Sequence, residues 1–183
     1  MRHPGARALL PHLALVGLPG SGKSTVGPLL ARELKAPFID LDAEIERREG
    51  LMIGEIFSQL GEPAFRALEH ELTRELAGEP AMVIAPGGGW FASEANPALL
   101  RPRLKVIHLV VSPERALARL GPSAGSRPLL AGPAALIRMK DLAATRMPLY
   151  GRADGAIDTE TLTPQEVVSF GLRLASAWGW PIG

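Results

Sequence analysis

The stretch Gly17-Leu18-Pro19-Gly20-Ser21-Gly22-Lys23-Ser24-Thr25 constrains this chain more than any other. It fits the pattern G-x-x-x-x-G-K-[S/T] and stands between two runs of different periodicity. His12 to Val16 before it are short and apolar, as in a buried strand, while Val26, Leu29, Leu30 and Leu34 after it recur at helical spacing. Strand, glycine-rich loop and helix in that order make a phosphate-binding loop. Gly20, Ser21, Gly22, Lys23, Ser24 and Thr25 form the cradle. Its glycines let the backbone curl until successive N–H groups converge on phosphate oxygens at a helix N-terminus, where the helix dipole also favours negative charge. Lys23 reaches the β- and γ-phosphates of a nucleotide, and Ser24 places its hydroxyl on Mg²⁺. The bland alternative, a glycine-rich turn that binds nothing, requires a chance match that average residue usage makes rare.

Composition agrees. With 183 residues, 46% of them hydrophobic, the chain buries a sizeable core within the size range of one domain, so a single domain over residues 1–183 is expected. A formal charge of +1 provides no strong overall field toward nucleic acid or anionic membrane, so neither is expected as a partner. The absence of cysteine excludes disulfides, thiol catalysis and cysteine-ligated metals, and accords with a reducing cytosol. The early apolar stretch is interrupted by Pro11 and His12 and does not resemble a cleaved signal peptide. No run approaches the roughly 18 apolar residues that a membrane span needs, and a cytoplasmic location is the expectation.

Short apolar runs alternate with helical patterns along the chain, the signature of an α/β fold with a parallel sheet covered by helices. Strands are predicted at His12 to Val16, Pro37 to Leu41, Ala81 to Ala85, Lys105 to Val111 and Gly155 to Asp158, a five-stranded sheet in all. Helices are predicted over Lys23 to Leu34, Ile53 to Leu60, Pro63 to Leu76, Pro113 to Leu120, Pro133 to Tyr150 and Pro164 to Ala177, often with proline in the first turn. Gly121 to Ser126 contains nothing large or apolar and reads as a mobile loop, part of a lid over about 119–130. Pro28 falls in the second turn of the first helix. There it lacks an N–H and crowds the Ser24 carbonyl, a cost of ~3 kcal/mol in a regular helix, so a bend or loosened turn is predicted.

Further polar signals cluster where predicted strands end. Asp40 and Asp42 stand two residues apart at the end of the second strand, and period-two alternation points both to one side. Beside a phosphate loop, one acid suits a water on Mg²⁺ and the other a proton from a substrate hydroxyl. The competing reading has Asp42 capping a helix that begins Ala43-Glu44-Ile45. Arg66 and Glu69 share a helix face, which by default is an ordinary surface ion pair. Gly87, Gly88 and Gly89 follow the third strand. Three glycines carry a large entropic cost unless a tight turn or a close-approaching substrate requires them. Trp90 and Phe91 then either cover a ligand or simply pack, with packing the more common fate of aromatics. Of Arg115, Arg119, Arg127, Arg138 and Arg146, many are expected on solvated helix faces. Arg119 and Arg127 flank the small-residue loop, where closure brings a guanidinium onto a transferring phosphate.

Taken together, these residues make the chain similar to the shikimate kinase family. The phosphate loop, Asp40-x-Asp42, Phe65-Arg66 with Glu69, Gly87-Gly88-Gly89, Arg127-Pro128-Leu129-Leu130 and Arg146-x-x-Leu149-Tyr150 stand in that family's order and at close to its spacing. The resemblance implies a three-layer P-loop kinase fold of the nucleoside monophosphate kinase type, with ATP as co-substrate, Mg²⁺, and shikimate as the small-molecule partner, and a monomer is expected. Position by position it gives Lys23 to the nucleotide phosphates, Ser24 to the metal, and Asp40 to the metal through water. Asp42 contacts the substrate hydroxyls, Arg66 and Arg146 hold its carboxylate, Gly87, Gly88 and Gly89 offer backbone, and Phe57 and Phe65 wall its ring. Arg119 assists the transferring phosphoryl group and Arg127 contacts the nucleotide near the adenine. The chain departs from the family at Gly151, where an acid is common, and at Pro28. A late basic residue near the adenine has no counterpart around Thr161 and Leu162.

The chemistry of the residues agrees with what the resemblance implies. A loose phosphoryl-transfer transition state needs positioning and charge stabilisation, and a small carboxylate is best held by guanidinium, which offers a planar two-pronged donor. The expected activity is ATP-dependent phosphorylation of the 3-hydroxyl of shikimate, with Lys23, Asp42 and Arg119 as catalytic residues. A gluconate-type kinase shares the phosphate loop but does not call for the glycine triplet together with Arg146-x-x-Leu149-Tyr150. A ligand-sensing module of the same fold tolerates loss of Lys23 or Asp42, and both are present.

Overall fold

A strand covered on both faces has no polar side to alternate with, and β1 (His12–Val16) is of that kind, buried along its whole length. The computed structural model describes residues 10–124, 130 and 134–182. In it β1 lies at the centre of one parallel sheet with β2 (Phe38–Asp40), β3 (Val83–Ala85), β4 (Leu104–Val110) and β5 (Gly155–Asp158), in the order β2-β3-β1-β4-β5. Period-two alternation divides the core between the two faces. Leu13 and Leu15 pack with Val83, Ile107 and Leu109 against α1 (Lys23–Glu33) and α8 (Pro164–Ala177). Ala14 and Val16 join Ile84 and Val106 on the other face. That face is covered by α2 (Leu41–Glu49), α3 (Ile53–Gln59), α4 (Gly61–Leu76), α5 (Ala95–Leu100), α6 (Pro113–Leu120) and α7 (Ala135–Tyr150). The result is the expected three-layer α/β arrangement. Among the described residues no helix is long and apolar enough to cross a membrane.

Register places the functional loops side by side. Asp40 pairs with Ala85, and Val16 pairs with His108, so the chain leaving β1 at Gly17, β2 at Leu41 and β3 at Pro86 emerges at one edge. Open α/β sheets bind ligands at the carboxyl ends of their strands.

The bounds of β1, β5, α6 and α8 coincide with those predicted, and two of them have explicit start signals. Ser112 caps α6 by accepting from the Arg115 N–H, with Pro113 at the first helical position. Thr163 and Glu166 form a reciprocal capping box for α8, followed by Pro164. Elsewhere the structure differs. The helix α5 is unanticipated, and α2, expected only in the competing reading of Asp42 as a cap, begins two residues earlier at Leu41. The strand β2 ends at Asp40 and passes directly into α2, so Asp40 and Asp42 do not share a strand face. The cap of α2 is Asp40, whose side chain accepts from the Ala43 N–H at 3.3 Å, and Asp42 sits inside the first turn. The helix α1 continues through Pro28 to Glu33 without a break. A Cβ at the preceding Gly27 would lie 2.3 Å from the Phe38 ring, so the absence of a side chain there lets α1 pack directly on the Phe38 ring of β2. The predicted mobile loop begins as a 3₁₀ turn over Gly121–Ala124, and its remainder lies outside the described residues, as does Pro133.

Burial of polar groups at the opposite end of β1 has a measurable result. His12 is 1% exposed, with neither ring nitrogen hydrogen-bonded among the described residues. Burial, aided by the Arg103 charge, pushes its pKa down from 6.5 to about 4. The unfolded chain therefore binds the extra proton first, and the stability contributed by neutral His12 is complete above pH 6.5 and lost as pH falls toward 4. That contribution is about 3 kcal/mol over the interval. Urea titrations at several pH values should show wild-type stability rising relative to His12→Asn by an amount of that order. Parallel pH profiles for the two proteins would refute it.

Candidate active site

The phosphate loop is shaped by contacts that only glycine permits. Gly20 and Gly22 have φ of +83° and +103°, in the left-handed region, and a Cβ on Gly20 would lie 2.2 Å from the Ala116 carbonyl oxygen of α6. No side chain caps the start of α1 at Gly22, so the first N–H groups of that helix are available to an anion. Lys23 folds back over the loop, its Nζ donating to the Gly17 and Leu18 carbonyls at 3.0 and 3.1 Å. Ser24 Oγ donates to Asp40 Oδ2 at 2.6 Å. The hydroxyl and the carboxylate converge at the mouth of the loop, a pair of hard oxygen donors of the type Mg²⁺ takes. Among the described residues no group of three or more His, Cys, Asp or Glu stands together as a metal cage.

The glycine triplet after β3 has a steric explanation that its sequence does not disclose. A Cβ on Gly87 would lie 2.6 Å from Asp42 Oδ1, one on Gly88 2.3 Å from a terminal nitrogen of Arg146, and one on Gly89 2.4 Å from a terminal nitrogen of Arg66. Thus three helices, α2, α7 and α4, each press one ionic side chain against one glycine. Arg66 donates to Glu69 Oε2 at 3.0 Å and to Glu62 Oε1 at 2.9 Å. Glu69 is fully buried, so the expectation of a surface ion pair for Arg66 and Glu69 is corrected. Burial pushes the Glu69 carboxyl up to about 7, with the Asp42 charge adding to the rise, while Arg66 and Arg146 oppose it. Arg146 is itself buried. Beneath this group the Glu69 carbonyl accepts from the Thr73 hydroxyl, which accepts from the Trp90 indole N–H at 2.8 Å. Trp90 and Phe91 belong to the core and do not line the cleft, so their role is packing. Phe57 and Phe65 do line it, with ring centroids 4.9 Å apart.

One cleft of about 990 Å³ connects these parts. Its wall includes the loop from Gly20 to Thr25, then Asp40, Asp42 and Arg66, then the glycine triplet and Arg146, so every described residue expected in the site is present there. Arg119 also lines it, but its guanidinium is held by the Thr159 side chain and carbonyl, on the segment after β5. The Arg127 assignment lies outside the described residues, whereas nearby Leu130 is buried and lines the cleft. Sequence reasoning missed Met52 and Ile53 before and at the start of α3, and Leu162 and Pro164 after β5, which are also in the wall. Apolar wall residues carry no motif. Leu162 nonetheless occupies the region where no basic counterpart was found.

A phosphate loop on a central parallel strand, opening into a cleft with paired guanidinium groups, defines a P-loop kinase acting on a small molecule. Within that class the chain belongs to the shikimate kinase family: the Shikimate kinase family model matches residues 19–173. Shikimate kinase of Thermus thermophilus is 42% identical over 156 residues, covering 85% of each chain. That of a Synechococcus species is 45% identical over 150 residues, 82% of this chain and 76% of the relative. Among solved structures, shikimate kinase from Acinetobacter baumannii in complex with shikimate superposes with a TM-score of 0.87 at 35% identity, covering 94% of this chain and 96% of that one. A gluconokinase from Sinorhizobium meliloti, at 18% identity and a TM-score of 0.60, shares the fold alone. The protein is accordingly a kinase of the transferase class.

Proposed function

We propose that the protein transfers the γ-phosphoryl group of ATP to the 3-hydroxyl of shikimate, releasing ADP and shikimate 3-phosphate. The observation that carries this reading is the glycine triplet with Asp42, Arg146 and Arg66 set against it, in the same cleft as the phosphate loop. Two guanidinium groups supply bidentate donors for a carboxylate, and the carboxylate of Asp42 faces the same space for the hydroxyls. In the step itself the substrate oxygen bonds to the γ-phosphorus as the bond to the β–γ bridging oxygen breaks, and Asp42 accepts the hydroxyl proton. Lys23 and the open N–H groups of α1 stabilise the phosphate charge, with Arg119 and Arg127 on the lid side. Mg²⁺, held through Ser24 and Asp40, would neutralise phosphate charge when bound. Phe57 and Phe65 exclude water beside the ring. We read the chain as one domain with its lid at about 119–130, acting as a cytoplasmic monomer on small molecules and not on nucleic acid or membrane. The near-neutral formal charge supports that reading.

The test offers purified protein ATP and Mg²⁺ with shikimate, quinate, gluconate or nucleoside monophosphates and measures ADP release. Turnover is expected with shikimate, and turnover confined to gluconate or a nucleotide would overturn the reading. The two acids should separate by role. Asp40, bonded to Ser24, is expected on the metal side, so Asp40→Asn should raise the Mg²⁺ concentration required for half-maximal rate. Asp42, set against Gly87, should on substitution by Asn lose shikimate affinity and turnover with an unchanged metal requirement. Indistinguishable metal titrations for the two variants would contradict the division.

A further inference from the structure

Tyr150 ends the Arg146-x-x-Leu149-Tyr150 segment, and none of the roles derived above uses it. Its side chain is 2% exposed, yet its hydroxyl reaches a backbone group far away in the chain. It donates to the Gly88 carbonyl at 3.3 Å, and the Arg146 guanidinium, whose terminal nitrogen lies against the same Gly88, stands close enough to act on its charge. We propose that the Tyr150 hydroxyl is a positioning group that pins both halves of the substrate-carboxylate site, the guanidinium of Arg146 and the peptide between Gly88 and Gly89. The proposal rests on the reading of Arg146 and the glycine triplet as that site.

The bond to Gly88 and the contact with Arg146 fix the two groups whose freedom would otherwise cost most. A trans peptide holds its carbonyl and the following N–H antiparallel, so anchoring the Gly88 oxygen on Tyr150 turns the Gly89 N–H to the opposite side. Neither glycine has a side chain to impose that orientation. Arg146 is one turn before Tyr150 on α7, and a long side chain ordered before the ligand arrives loses less entropy on binding. The tyrosine ring is fixed in turn by His108 of β4, centroids 4.7 Å apart. Burial raises the Tyr150 pKa, so the hydroxyl keeps its proton and remains a donor. Burial, with the Lys23 charge, lowers that of His108 and keeps the neighbouring imidazole neutral.

Tyr150→Phe removes the hydroxyl and retains the buried ring. Titrated with shikimate and with ATP separately, on protein confirmed as folded by circular dichroism, this variant should bind shikimate roughly 5- to 20-fold more weakly and ATP within about twofold of wild type. The loss should disappear for a shikimate analogue whose carboxylate is reduced to hydroxymethyl, measured as the ratio of kcat/KM between wild type and variant. Unchanged shikimate affinity overturns the proposal, as does an equal loss for ATP or a loss that persists with the reduced analogue. Those outcomes mark Tyr150 as a packing residue only. Arg146→Ala measured alongside separates the two levels. If it too leaves shikimate affinity unchanged, the carboxylate site itself is misassigned and the proposal goes with it. If it weakens shikimate while Tyr150→Phe does not, only the proposal fails.

Discussion

Lys23→Ala should reduce turnover by at least ~100-fold while the protein remains folded, the scale set by removing a single charge-stabilising donor from a transition state. The side chain stands at the entrance to α1, whose N-terminal N–H groups no side chain caps, and on the proposed reading it brings to nucleotide phosphates there the full positive charge that the backbone lacks. Its Nζ donates to the Gly17 and Leu18 carbonyls, in bonds that are part-buried at the loop. Each such bond contributes about 1 kcal/mol net, a small share of the stability of a domain of this size. The asymmetry between a large kinetic effect and a small structural one is the signature sought. Single-turnover rates with saturating ATP and shikimate, beside a thermal melt, measure both. A folded variant with near-normal rate would place Lys23 away from the transferring phosphate.

Which parts of this arrangement could be read from sequence follows from how local their causes are. The phosphate loop is legible because its strand, glycines, lysine and helix are contiguous, and α8 because Thr163, Pro164 and Glu166 write its start in four residues. The helix α2 stood only as the competing reading because its signal is electrostatic: Glu44 pairs with Arg47 and Arg48 at i+3 and i+4, and Arg48 reaches Glu75 on α4, with only Leu41 and Ile45 buried. A search for apolar periodicity passes over such a helix. With α2 so weakly signalled, period-two alternation puts Asp40 and Asp42 on one strand face, which the helix start at Leu41 overturns. The burial of Glu69 was hidden for another reason. Its position three residues from Arg66 is equally compatible with a surface pair, and only the packing of the Gly87 turn over α4 distinguishes the two. The triplet itself was visible as a feature needing a cause. That cause lies in three helices distant in sequence.

Arg146→Ala should weaken shikimate by roughly 30-fold or more, since removing one partner of a buried, hydrogen-bonded charge pair costs ~2–5 kcal/mol. The alternative of a solvated arginine at a helix end predicts a change within about 0.5 kcal/mol, but the residue is 7% exposed and its terminal nitrogen lies against Gly88. ATP affinity should barely change. Arg146→Lys should fall between, keeping the charge and losing the planar fork, and turnover should drop with affinity because the same clamp orients the hydroxyl toward the γ-phosphate. Removing the guanidinium also withdraws one of the charges that hold the Glu69 pKa down, so that carboxyl should titrate higher than about 7 in the variant. Gly88→Ala offers an independent route to the same site: a methyl placed 2.3 Å from the Arg146 nitrogen must displace it, and shikimate affinity should fall although the charge remains. Separate titrations of shikimate and ATP decide the matter. Normal shikimate affinity in both Arg146→Ala and Gly88→Ala would remove the clamp, and with it the main chemical reason for a carboxylate substrate.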